Sequence, residues 1–199
     1  IDTFWSPLSN FIKKYGTMAI IILFIIGFYR VSDIVMGVVA NLFYSDKGYT
    51  LNQIATFSKF WGLIATISGG LIGGVLASKY NNYLILLLGS ILAAITNLLF
   101  ALLVILEPKT TYLISVIIAD NISAGIASVA FVAFLSSLTN INFTTSQYAL
   151  FTSLMLFFPK IIGGYSGSIV DSLGYFNFFV ITALMGLPVI IIIFIFKNK

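Results

Sequence analysis

The chain lacks cysteine and histidine altogether, and only 8% of its residues are charged. Without cysteine there is no disulfide to report on compartment, no thiol nucleophile and no thiolate metal site. Without histidine the usual near-neutral proton switch is missing, so any proton this chain carries has to ride on a buried carboxyl. Soluble domains carry about 25% charged residues. A chain that is 60% hydrophobic, 8% charged and has a mean hydropathy of +1.10 is therefore excluded from the soluble globular class. The net charge of +4 would point to nucleic acid in a soluble protein. Here the lysines read as membrane topology signals, and no nucleic-acid partner is expected. No charged segment followed by a short apolar core opens the chain, so no signal peptide is expected, and the start at Ile1 without an initiator Met points to a piece of something longer.

What is present is a series of long apolar stretches. Residues 16–44 exceed the roughly 20 needed to cross a bilayer, yet hold Arg30 and Asp33 near their middle. An ionised group at the bilayer centre costs at least ~2.5 kcal/mol, so such residues turn inward toward partners, water or a solute path. Three residues apart, Arg30 and Asp33 share one helix face and either neutralise each other or line a cavity. Further spans are expected at 51–78, 83–106, 112–139, 148–170 and 176–196, after a polar and aromatic lead broken by Pro7. In the second span Gly69, Gly70, Gly73 and Gly74 lack the GxGxxG order of a nucleotide loop and predict close helix packing instead. Pro159, directly before Lys160, bends the fifth. Lysines divide unevenly between the two ends: Lys13, Lys14, Lys79, Lys197 and Lys199 against Lys47 and Lys109. This bias places both termini in the cytoplasm, and the sequon-like Asn142-Phe143-Thr144 on the same side, where it carries no glycan.

The two halves of the chain echo one another. Gly74 to Lys79 closes the second span, and Gly167 to Gly174, with Asp171 inside it, closes the fifth, about half the chain later. Corresponding spans are an odd number apart, so the copies run in opposite senses: an all-α membrane protein of two inverted three-helix repeats, 16–106 and 107–199, behind a cytoplasmic lead 1–15. Charge follows the same period. Asp33 and Asp120 lie on spans one and four, Lys59 and Lys160 on spans two and five, and spans three and six carry none. The uncharged pair is expected to face lipid, and the other four to surround a polar path lined by Arg30, Asp33, Lys59, Asp120, Asn121 and Lys160. Three cations against two acids suit an anionic solute. Gly70, Gly74, Lys79, Gly167 and Asp171 are expected in helix packing or gating, and Asn97 as a packing amide.

At these residues the chain resembles the C-terminal six-helix half of a major facilitator superfamily transporter. Gly74-xxx-Ser78-Lys79 is similar to that superfamily's Gly-xxx-Asp-Arg-x-Gly-Arg loop, with Ser78 where the acid stands and Asn81 where a glycine stands. Tyr29 to Asp33, Lys59 to Gly70, Asp120 to Gly125 with Ala130 to Leu135, and Phe143 to Leu150 resemble the AmpG-like muropeptide permeases. Asp120 and Lys160 stand where that family commonly has Glu and Arg, which keeps charge sign but changes reach. The resemblance implies proton-coupled uptake of anhydro-muropeptides, fragments of cell-wall turnover, across the bacterial inner membrane, with an N-terminal half as partner. The residues alone leave open a carrier of another anionic solute, such as acetyl-CoA, and a non-transporting membrane scaffold. No nucleophile and base pair, metal cluster or phosphate loop is present in the sequence, so neither an enzyme nor a cofactor is expected.

Overall fold

A computed structural model of the chain describes residues 2–139 and 144–196, and among these every regular element is helical. Lys197, Lys199 and the Asn142-Phe143 pair lie outside the described residues. The elements are α1 (Asp2–Tyr15), α2 (Met18–Phe28), α3 (Val31–Asp46), α4 (Leu51–Ala55), a π-helical segment (Thr56–Trp61), α5 (Gly62–Lys79), α6 (Asn82–Ile105), α7 (Thr110–Leu138), α8 (Thr144–Gly163), α9 (Ser166–Met185) and α10 (Leu187–Phe196). The lead is thus itself a helix that runs through Pro7, where the lost hydrogen bond falls near the helix start. Its Phe11 is buried against Tyr15 and Phe151.

Among the described residues five stretches are long and apolar enough to cross a membrane: Met18–Asp46, Leu51–Lys79, Asn82–Ile105, Thr110–Leu138 and Ser166–Phe196. The expected fifth span, 148–170, is not among them and is divided. α8 opens on the polar run Thr144-Thr145-Ser146-Gln147, contains Pro159 and Lys160, and ends at Gly163. The chain turns through Gly164 and Tyr165 before α9 begins. Within α9, Gly174 takes φ 76° and ψ 165°, a conformation open to glycine, and interrupts the helix. This interruption falls between the expected spans 148–170 and 176–196, inside the single apolar stretch Ser166–Phe196.

Capping explains the other boundaries. Thr50 and Gln53 form a capping box at the start of α4, the Gln53 N–H donating to Thr50 Oγ1 at 3.3 Å and the Thr50 N–H to Gln53 Oε1 at 2.9 Å. Asn81 Oδ1 accepts from the Tyr83 N–H at 2.9 Å to open α6.

Long-range contacts show how the helices run. At one end Tyr15 donates to the Leu138 carbonyl, and Tyr15, Tyr83 and Phe196 line one cavity. At the other Lys47 donates to the Val104 carbonyl, Tyr49 to that of Lys109 and Tyr175 to Asp46. α8 packs on α2 and α3, α7 on α5 and α6, and α6 on α9, α10 and α3. Two apolar clusters result. One holds Phe11, Ile26, Leu86, Phe134, Phe151 and Ile193, and the other Val35, Phe43, Phe100, Leu113, Phe178 and Phe179. Polar side chains gather between them.

Candidate functional site

The expected continuous first helix is interrupted at Tyr29-Arg30, where Arg30 has φ −99° and ψ 9°. Both residues are anchored on α7. The Tyr29 hydroxyl donates to the Ala127 carbonyl at 3.4 Å, and its ring stacks on Phe131. Arg30 Nη1 donates to Ser128 Oγ at 2.9 Å and to the Ala124 carbonyl at 3.4 Å, while Arg30 Nε lies 3.3 Å from Asp33 Oδ2. The side chains of Arg30 and Asp33 keep 17% and 12% of their surface, so the pair is largely withdrawn and its attraction weakly screened. The predicted i,i+3 pairing is present, with α7 as its third member.

α6 closes the junction. Gly89 lies where Tyr29 and Ala127 converge, and a Cβ there would stand 2.3 Å from the Tyr29 hydroxyl. Two turns on, Thr96 lies beside Asp120 of α7, whose charge also interacts with Asp33 and Arg30. Asn97 is fully buried, its Nδ2 donating to Ser32 Oγ at 2.8 Å and the Ser32 carbonyl at 3.2 Å. Ser32 in turn donates to the Thr182 carbonyl at 2.8 Å. Asn97 Oδ1 and Ser123 Oγ are buried without a hydrogen-bond partner. Asn97 is the packing amide expected of it, with one oxygen to spare.

The other predicted residues sit elsewhere. Asn121 does not face the charged group: its Oδ1 accepts from Thr66 at 2.9 Å and its Nδ2 donates to the Ile117 carbonyl at 2.8 Å, pinning α7 to α5. Lys59, in the π-helical segment, and Lys160, after Pro159, are exposed. Among the described residues neither joins an ion pair with Asp33 or Asp120. Among the described residues the junction therefore holds one half-buried guanidinium and two half-buried carboxylates, with the two lysines outside it.

The packing glycines also change. Gly74 and Gly167 meet nothing within 4 Å of a built Cβ, and Gly70 meets only Val129 at 3.9 Å. Close approach falls instead to Gly69, whose Cβ would stand 2.2 Å from the Ile122 carbonyl oxygen, and to Gly125, 2.4 Å from that of Thr66. Gly62, Ala65, Gly69 and Gly73 form the buried stripe of α5, spaced three and four apart, whereas Gly70 and Gly74 point one residue off it. Lys79 and Asp171 are exposed.

The third span departs from its expected lipid-facing role on one side. Leu84, Leu88, Ile91, Ile95, Leu98 and Leu102 of α6 are exposed, but its opposite face supplies Thr96 and Asn97 to the polar group. Thr96, Ser123, Ser128 and Tyr29 were not singled out from sequence. The spacing Asp120, Ser123, Ala124, Ala127, Ser128 along one side of α7 is the signal that finds them.

No family model matches the chain. The chain is 34% identical over 200 residues to a Rickettsia bellii protein named "Putative transporter AmpG 1", covering all of this chain and 49% of that protein. It is 31% identical over 199 residues to "Putative transporter AmpG 4" of Rickettsia conorii, 100% of this chain and 48% of the relative. It is 36% identical over 182 residues to "Putative transporter AmpG 1" of Rickettsia prowazekii, 90% and 41% respectively. The chain spans about half the length of the curated relatives it matches.

Proposed function

The chain belongs with the AmpG-like transporters, as about half the length of such a protein, and from that premise we propose that it is the C-terminal, six-helix half of a proton-coupled carrier. Its solute is an anhydro-muropeptide, taken up from periplasm to cytoplasm across the bacterial inner membrane, with both ends of this segment cytoplasmic.

The observation that carries the reading is the buried group Arg30, Asp33 and Asp120, set where α3, α6 and α7 meet, between two apolar clusters and not at either end. Ionised groups at that depth are costly and are kept where they move protons or solute. Two further features support it. The first helix is discontinuous at Arg30 itself, as helices are at midplane sites of secondary transporters. An inverted repeat is a further support: exchanging span one with four, two with five and three with six would make the α3·α8 contact the counterpart of α7·α5 and the α3·α9 contact that of α7·α6. On this reading α8 is the fifth traverse and Gly174 the turn into the sixth.

In the mechanism Asp120 takes the proton and Arg30, bridging Asp33 and α7, responds to that change of charge. Neutralising Asp120 removes one of the two negative charges near the guanidinium, which loosens its hold and readies it for a solute carboxylate, so that the arrangement favoured by the loaded state differs from that of the empty one. Lys59 and Lys160, exposed on α5's approach and on α8, face the complementary N-terminal half and add positive charge for the solute. The covering half also explains why only 22% of the apolar window in Leu51–Lys79 is buried, against 50% in Met18–Asp46.

Uptake of labelled anhydro-muropeptide into vesicles bearing the intact transporter tests this. Asp120→Asn should abolish uptake driven by a proton gradient while leaving solute exchange. Wild-type acidification-coupled uptake in that variant overturns the proton assignment, and stronger competition by nucleotide thioesters than by muropeptides overturns the solute.

A further inference from the structure

Resting on the carrier reading above, the geometry points to a binding site for a small monovalent cation, tested here as sodium, built at the α3–α6–α7 junction from the carboxylates of Asp33 and Asp120 and the side-chain oxygens of Thr96, Asn97 and Ser123.

Charge balance comes first. Among the described residues the junction half-buries two carboxylates and one guanidinium, and Lys59 and Lys160 are exposed and form no ion pair with them. One negative charge is left over in a region where unbalanced charge is expensive. A single positive charge closes the sum, and a divalent ion overshoots it.

A proton alone closes the charge but not the oxygen count. Asn97 and Ser123 keep 0% and 3% of their surface, yet Asn97 Oδ1 and Ser123 Oγ have no partner. The amide orientation is not free to remedy this. The group facing the Ser32 carbonyl has to be a donor, so Nδ2 lies there and the oxygen is turned away from it. Buried polar atoms without partners cost about 1–3 kcal/mol each and are rarely left so without a ligand or water.

Register sets these residues on facing helices of one junction. Thr96 and Asn97 are consecutive on α6, Asp120 and Ser123 are one turn apart on α7, and Asp33 follows the Ser32 that Asn97 grips. Oxygen-only donors from three helices, with no thiol or imidazole in the chain, match a hard cation. Arg30, held on Ser128 and Asp33, bounds the site on one side and limits it to one charge.

The test is binding of radioactive sodium to the purified intact transporter, at fixed pH and with choline keeping ionic strength constant. Saturable binding is expected, lost in Asp120→Asn, weakened roughly tenfold in Ser123→Ala and Thr96→Val as for other coordination-shell changes, and unchanged in Lys109→Gln, an exposed residue paired with Glu107. Should Asp120→Asn fail to fold, Ser123→Ala decides, because its hydroxyl makes no hydrogen bond to lose. Absence of saturable binding, or equal affinity in Ser123→Ala, overturns the site and leaves water on the two oxygens. If sodium fails to bind while a proton gradient still drives uptake, the site alone falls. If sodium binds but no gradient drives uptake, the carrier reading falls instead.

Discussion

α7 meets α5 and the α2–α3 junction by opposite means. Against α5 the contact is backbone on backbone, through Gly69, Gly73 and Gly125, with Thr66 and Asn121 as the polar pin. Against the α2–α3 junction the gap is crossed by long side chains, Tyr29 and Arg30, reaching α7 carbonyls and Ser128. In a bilayer, where lipid tails are as apolar as leucine, association comes from close packing and interhelical hydrogen bonds. The first interface uses mainly packing and has little room to rearrange. The second rests on charge and on a few hydrogen bonds, which is the kind of contact that a change of proton or ion occupancy can reset. The difference separates a fixed wall from an adjustable seam within one helix.

The largest expected effect breaks the wall. Gly69→Leu forces α5 away from the Ile122 carbonyl, and the melting temperature in detergent should collapse, beyond the ~1–3 kcal/mol of ordinary overpacking. Gly74→Leu, one helix position off the stripe, is the matched control and should melt like wild type; equal damage from both would erase the distinction drawn between these glycines. Next is the seam. Arg30→Met leaves Asp33 and Asp120 without their cation and should cost about 3 kcal/mol, since removing one member of a withdrawn pair strands the other. Recovery of most of that loss in the double variant Arg30→Met/Asp33→Asn, read by chemical denaturation, would sharpen the assignment. The smallest effect is Ser128→Ala, which removes one hydrogen bond to the guanidinium and should cost about 1.5 kcal/mol. An unchanged melting curve there would mean that α7 holds Arg30 through the Ala124 carbonyl alone.

Legibility followed the same division. The Arg30–Asp33 pair was readable because three residues along a helix fix a shared face whatever surrounds it. The placement of Asp120 near that pair followed from the matching positions of acids in the two triplets. Lys59 and Lys160 obey the same period, yet the structure leaves both exposed, because period reports depth along a helix and not its azimuth. The same blindness applies to glycine: Gly69 and Gly70 look alike in a string, but only one points at α7. Thr96 was hidden for a related reason, lying on a span without formal charge whose exposed face is wholly apolar.

By itself the sequence determined that this is a membrane chain of long apolar helices, where the ionisable groups lie in depth, and which family it resembles. These depend on composition, length and local periodicity, which add up residue by residue. Only the tertiary structure decided that the first helix breaks at Arg30, that Lys59 and Lys160 lie outside the charged junction, and that two buried oxygens are left unpaired. Each of those depends on which side of a helix meets a neighbour, and that is set by packing between segments far apart in the chain.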